Sequence, residues 1–100
     1  MNETTPVACT LTASGLRGQI QRWQRLMARA MTERAETADG LRISFRHEAE
    51  DELRALVAIE TECCAWATWT VAREAGTIVL DVRSAAEGVA ALHSLFTVAR

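Results

Sequence analysis

Cys63 and Cys64 stand three and four residues after Glu60 in the stretch Ile59-Glu60-Thr61-Glu62-Cys63-Cys64-Ala65-Trp66, where a helical pattern runs out. At about 100° per residue, all three fall on the side of the helix that also carries Leu53, Leu56 and Val57. A carboxylate turned toward the core is costly unless something pairs with it, and two thiols beside it form a soft ligand set for a metal. Neighbouring helical residues diverge by about 100°, so both sulfurs can reach one ion only if the helix ends or loosens at the pair. Trp66, Thr68, Trp69, Thr70 and Val71 follow at once, which places the pair at a helix-to-strand junction. The partial negative charge of a helix C-terminus disfavours a bare thiolate and argues against a strongly activated nucleophile, an objection that a bound cation removes.

A third thiolate from Cys9 would complete a trigonal sulfur site for a thiophilic ion such as Cu(I), Zn(II), Hg(II) or As(III). Zinc would ask for a fourth ligand. Glu60, one turn before the pair, is the first candidate for that ligand or for its support, and His47 and His93 are weaker ones. The expected metal set is therefore Cys63, Cys64, Cys9 and Glu60. Other readings stand beside it. Free cysteine is among the most buried residue types, so the thiols can be inert core residues of a structural or protein-interaction module. They can also serve a redox enzyme in which one of the pair attacks and its neighbour or Cys9 resolves. For Glu60 the simpler account is pairing with a buried Arg or a water, and for Cys9 it is burial in the core. No phosphate loop, zinc-finger pair or His-Glu-x-x-His is present, and no catalytic residue is assigned.

The surrounding chain bounds these choices. One hundred residues, 49% apolar and 24% charged, make a single soluble domain over 1–100, with 1–6 expected to be disordered. No apolar run approaches the roughly 20 residues of a membrane span. The first ten residues lack a signal-peptide pattern, which implies a cytoplasmic, reducing home where three cysteines remain thiols. A net charge of −2 argues against general nucleic-acid binding. All 11 basic residues are Arg and eighteen residues are Ala, a bias that GC-rich bacterial codons would produce.

The elements that must position the site follow from periodicity. Val7, Cys9 and Leu11 alternate and predict a short strand with Cys9 on its core side. Thr12 or Ser14 caps a helix whose stripe is Leu16, Ile20, Trp23, Met27, Ala30 and Met31, running to about residue 33 with Arg22, Arg25 and Arg29 opposite. Thr37-Ala38-Asp39-Gly40 is a turn in which Asp-Gly supports positive φ, and Leu41, Ile43 and Phe45 face inward on the next strand. Glu48, Glu50, Asp51 and Glu52 suit the start of a second helix. Thr68–Arg73 and Thr77–Val82 form a hairpin around Gly76, and a third helix from Ala85 to about Ala99 turns Val89, Leu92 and Phe96 inward with His93 at the edge. The fold class is α+β: an antiparallel sheet of four or five strands with three helices packed on one face, in the order β-α-ββ-α-ββ-α. The two helix-plus-hairpin halves could echo one another.

Cys9-Thr10-Leu11-Thr12, the segment Asp39-Gly40-Leu41-Arg42-Ile43-Ser44-Phe45 and Glu60-x-x-Cys63-Cys64-x-Trp66 together resemble a group of small bacterial proteins of unassigned biochemistry. That group shares a Cys-Thr-Leu start and a Glu-x-x-Cys-Cys-x-aromatic segment, over a span that would be residues 9 to 96 here. Trp66 and Trp69 stand where the group would have Phe. Paired cysteines also occur in bacterial heavy-metal resistance proteins. The resemblance implies candidate positions, not a reaction. Trp23, Trp66 and Trp69 are expected in core and rim packing rather than a ligand cage. The expected partner is the metal or metalloid ion; under the alternative of a structural or interaction module, the Trp66 and Trp69 region is the candidate surface for a homodimer.

Overall fold

Amphipathic helices alternate with β-hairpins along the chain. A computed structural model of the protein describes residues 13–63 and 66–96. Its elements are α1 (Ala13–Ala30), β1 (Met31–Thr37), β2 (Gly40–Arg46), a 3-10 turn (His47–Ala49), α2 (Glu50–Cys63), β3 (Ala67–Glu74), β4 (Thr77–Ser84) and α3 (Ala86–Leu95). All pairings are antiparallel, and the strand order is β1-β2-β4-β3. This is the α+β arrangement that the patterning implies. The strand expected over Val7–Leu11 and the end of the third helix beyond residue 96 lie outside the described residues.

Two boundaries differ from expectation, each for a physical reason. The first helix stops at Ala30, because Met31 onward pairs with β2: Met31 lies opposite Phe45, with a register shift before Glu33. Ladder pairing outweighs the helical spacing of Met31, which packs on the core from a strand. Gly40 does not take positive φ; among the described residues that conformation belongs to Ala75 (φ 47) and Gly76 (φ 86) at the other turn. Gly40 instead opens β2, and a Cβ there would lie 1.7 Å from the Val82 carbonyl oxygen. The glycine is needed for close approach between strands, not for turn handedness.

The core lies between the helices and one sheet face. Leu41, Ile43, Phe45, Ile78, Leu80 and Val82 are buried from the sheet. Trp23, Leu26 and Met27 of α1, Leu53, Leu56 and Val57 of α2, and Leu92 of α3 meet them, with Phe96 just past its end. The period-2 alternation of β2 and the three-to-four spacing of the helices produce these faces directly. On the opposite face, Val79 is only 4% exposed. Arg42, level with Asp81, reaches Glu74, level with Thr77, at 2.6 Å, so that ion pair crosses over Val79 between them. The end of α3 is tied to the sheet by Arg34, which donates to the carbonyls of Phe96 (2.9 Å) and His93 (3.1 Å). Those are terminal acceptors that helix geometry leaves unmet.

The halves repeat. Ile43 pairs with Leu80, Arg34 with Ile43 and Val71 with Leu80, so each hairpin position has an equivalent 37 residues later in the same register. Gln19 with Leu56 and Trp23 with Glu60 are also 37 apart, and each pair is in contact. Equivalent residues that touch lie beside a local two-fold axis, here passing between β2 and β4 below and α1 and α2 above.

Gly40→Ala is expected to destabilise the fold by about 2–3 kcal/mol, since the clash is with backbone; urea denaturation measures it, and a change below about 0.5 kcal/mol would contradict the close approach. Glu50 accepts from Arg73 (2.9 Å) and Arg54 (2.8 Å), and these bonds hold its carboxyl below the usual value of 4.5. A depressed folded-state value means the contribution is complete above the unfolded value and is lost as pH falls through the folded one. The stability of Glu50→Gln should therefore fall less steeply than wild type below about pH 4.5, as read by denaturation from pH 6 to 3.

Candidate functional site

The antiparallel crossing of α1 and α2 builds the polar centre. Arg29 near the end of α1 pairs with Glu52 near the start of α2, while Gln19 and Trp23, farther toward the start of α1, meet Glu60 near the end of α2. Glu60 is 2% exposed. Its Oε2 accepts from Trp23 Nε1 at 2.7 Å and from Gln19 Nε2 at 2.9 Å. Gln19, itself buried, also lies 3.5 Å from the Leu56 carbonyl oxygen. Hydrogen bonds to a carboxylate contribute about 1.5–3 kcal/mol each and offset the desolvation that burial imposes. An amide and an indole from the neighbouring helix are among the partners of Glu60.

Packing aims the indole. Trp23 is fully buried, with Phe96 edge-on at 4.9 Å and Trp69 stacked at 6.4 Å, while Trp69 and Phe96 are 6.0 Å apart. These rings pack on one another in the core, and the ring that carries the Nε1–H donor cannot turn without disrupting the cluster. Sequence reasoning placed Trp23 in the core but missed Gln19 and the link to Glu60. A signal was available: a buried Trp needs an acceptor and a buried carboxylate needs donors, and the helical stripes carried one of each.

Of the expected ligand set, Glu60 is on the buried arc as predicted. Cys63 is the last residue of α2; its side chain, with Cys64 and Cys9, lies outside the described residues. Among the described residues, no group of three or more His, Cys, Asp or Glu side chains is placed to hold a metal ion. His47 precedes α2 and so sits about 20 Å from its Cys63 end by helix rise. His93 Nε2 lies 2.8 Å from the Gly40 carbonyl oxygen and Nδ1 lies 3.5 Å from Glu36, which places it against the β1–β2 hairpin. A surface cleft of about 390 Å³ beside the β3–β4 turn is lined by His47, Glu50, Arg73 and Thr77, but Glu50 already engages Arg73 and Arg54.

Trp66 packs against the core, and its Nε1 is buried with no hydrogen-bond partner among the described residues. Orphaned buried donors are rare in folded proteins, and each costs about 1–3 kcal/mol. Gly88 of α3 makes room for this ring: a Cβ there would lie 3.0 Å from Trp66 Cε3 and 2.0 Å from Ser84 Oγ.

No family model, curated protein or solved structure matches the chain. Among the described residues no helix is long and apolar enough to cross a membrane.

Trp23→Phe keeps a ring and removes the donor. In a double-mutant cycle with Glu60→Leu, followed by urea denaturation, a coupling energy of about 1.5–3 kcal/mol is expected. Additivity to within about 0.5 kcal/mol would show that the 2.7 Å bond does not hold the helices together.

Proposed function

We propose that this chain captures a thiophilic metal or metalloid ion, with Cys63 and Cys64 as principal ligands, Cys9 as the third and Glu60 orienting or neutralising the site. The observation that carries the reading is Glu60 itself: a carboxylate buried to 2% exposure, fixed by two donors, one helical turn before the paired thiols. Two further points support it. Under the 37-residue equivalence, apolar positions keep their character, Leu16 with Leu53, Ile20 with Val57 and Ile43 with Leu80, but Trp23, Leu26 and Met27 are replaced by Glu60, Cys63 and Cys64. The second helix departs from the shared apolar pattern at the three positions a soft-ion site would use. The antiparallel crossing also brings the start of α1 to the end of α2, and the four residues from Cys9 to Ala13 span at most about 14 Å.

Electrostatics favours a ligand role. The positive N-terminal end of α1 beside the negative C-terminal end of α2 offsets the penalty on thiolates there, without the net positive field that marks activated nucleophiles. Cu(I), Zn(II), Hg(II) and As(III) are the ions this chemistry selects. A reducing cytoplasm keeps the sulfurs available, and sequestration in bacterial heavy-metal resistance is the setting that fits.

Thiol titration with mass spectrometry across those four ions decides the matter. One ion per wild-type chain is expected, with loss of binding in Cys63→Ser/Cys64→Ser and weakened binding in Cys9→Ser, which removes the third sulfur ligand. Identical behaviour of wild type and the double variant would end the proposal. A thiol pKa well below the free value with a metal-independent disulfide would favour a cysteine-dependent redox enzyme instead.

A further inference from the structure

We infer that the outer faces of α1 and α2 dock on the same two helices of a second copy of this chain, α1 of each protomer lying on α2 of its partner. Charge is the first reason. Among the described residues, every arginine from Arg29 to Arg83 bonds a carboxylate or a carbonyl of its own chain. Arg17, Arg22 and Arg25 do not, and all three stand on α1, whose 18 residues include no Asp or Glu. The monomer leaves this positive stripe to solvent. Beside it α2 carries the opposite sign: Asp51 and Glu62 are exposed, with exposed Ala55 and Ala58 between them, and at about 100° per residue all four lie opposite the buried Leu53. Gly18 is the second reason. Glycine is the poorest helix former after proline, yet a Cβ here would meet nothing within 4 Å, so the chain's own packing gives no cause for it.

The crossing of α1 and α2 sets the levels. Trp23 bonds Glu60 and Arg29 pairs with Glu52, so Gly18 is level with Glu62 and Arg25 with Ala55, to within about a residue or 1.5 Å. A two-fold axis lying in the interface, parallel to both helices, carries α1 over the α2 of the other protomer and leaves every level unchanged. The partner's Glu62 then sits over Gly18, between Gln21 and Arg22, which are the next turn of the same surface. Arg25 sits over the partner's Ala55, one turn from the partner's Asp51. At both places a long side chain meets a small residue and a charge meets its opposite. The other in-plane axis, perpendicular to the helices, would lay arginine on arginine and is excluded by charge. Helices of 18 and 14 residues, about 10 Å across, offer a footprint of roughly 500 Å² per protomer. Standard specific interfaces bury about 800 Å² per partner, so the dimer is a weak one, and its charge pairing makes it salt-dependent.

Sedimentation velocity on the full chain tests this, across protein concentrations in about 0.05 M and about 0.5 M sodium chloride. Wild type should dimerise reversibly at the lower salt, with a dissociation constant about tenfold higher or more at the upper. Gly18→Gln should keep the wild-type circular dichroism and urea midpoint, because its side chain has open space within the fold, and should lose the dimer. Arg22→Glu/Arg25→Glu makes both outer faces acidic, and Asp51→Arg/Glu62→Arg makes both basic. Each of these should be monomeric alone, and an equimolar mixture should form a heterodimer, since every α1 then meets an α2 of opposite sign. Wild type that stays monomeric at all concentrations overturns the inference. So does a dimer that survives Gly18→Gln, which would put the contact elsewhere, such as the Trp66 and Trp69 region, and so does a mixture of the two folded charge variants that fails to pair.

Discussion

A carboxylate buried in the contact between two helices governs this structure. Glu60 joins α2 to α1 through Trp23 and Gln19, and every neighbour of that junction is constrained by it. The Trp23 indole must point its edge at Oε2, which fixes the faces it presents to Phe96 and Trp69. Those rings in turn lie between α1, β3 and the end of α3. A polar contact of this kind contributes little net stability compared with an apolar pair of the same shape, because desolvation consumes much of what the hydrogen bonds return. What it supplies is register: a one-residue slip of α1 against α2 would strand a charge in the core.

The local two-fold explains why the contact falls where it does. When two similar helix–hairpin units pair through β2 and β4, their helices cross near the axis, and residues at equivalent positions meet. In a symmetric pair the axis would bring like against like, two apolar side chains or two carboxylates. Here it brings Trp23 against Glu60, and the difference between the units converts a self-contact into a donor–acceptor bond. The third helix breaks the symmetry further, because its final carbonyls are bound by Arg34 of one hairpin, with no counterpart at the equivalent Val71 of the other.

Much of this frame was legible in the residues. The stripes Leu53, Leu56, Val57 and Leu41, Ile43, Phe45 have periods that no other element satisfies, and they were read with the faces the structure buries. The end of α1 was not legible, because Met31 continues a helical spacing and only the pairing partner, 14 residues on, shows that the chain has turned to strand. Asp39-Gly40 misled for a related reason: the dipeptide suits a positive-φ turn, yet Gly40 serves an approach to Val82, a strand reached only after another helix and hairpin. For the site, helical phase placed Glu60 inward, whereas its donors lie on another helix, and a single helical wheel cannot name them. Local signals in this chain report which face a side chain occupies; what it meets there depends on topology.

The two core indoles show the same dependence on topology: among the described residues, the Trp66 Nε1 has no partner. Trp23 and Trp66 are both indoles packed at the core, and burial alone would make both donors costly. Trp23 is satisfied because the two-fold crossing carries an acceptor to it from 37 residues away. Trp66 lies beyond the helix crossing, at the junction of α2 with β3, where the position equivalent to it is Arg29, whose charged end pairs with Glu52 at the surface. Among the described residues, the repeat that carries a carboxylate to Trp23 carries no acceptor to Trp66.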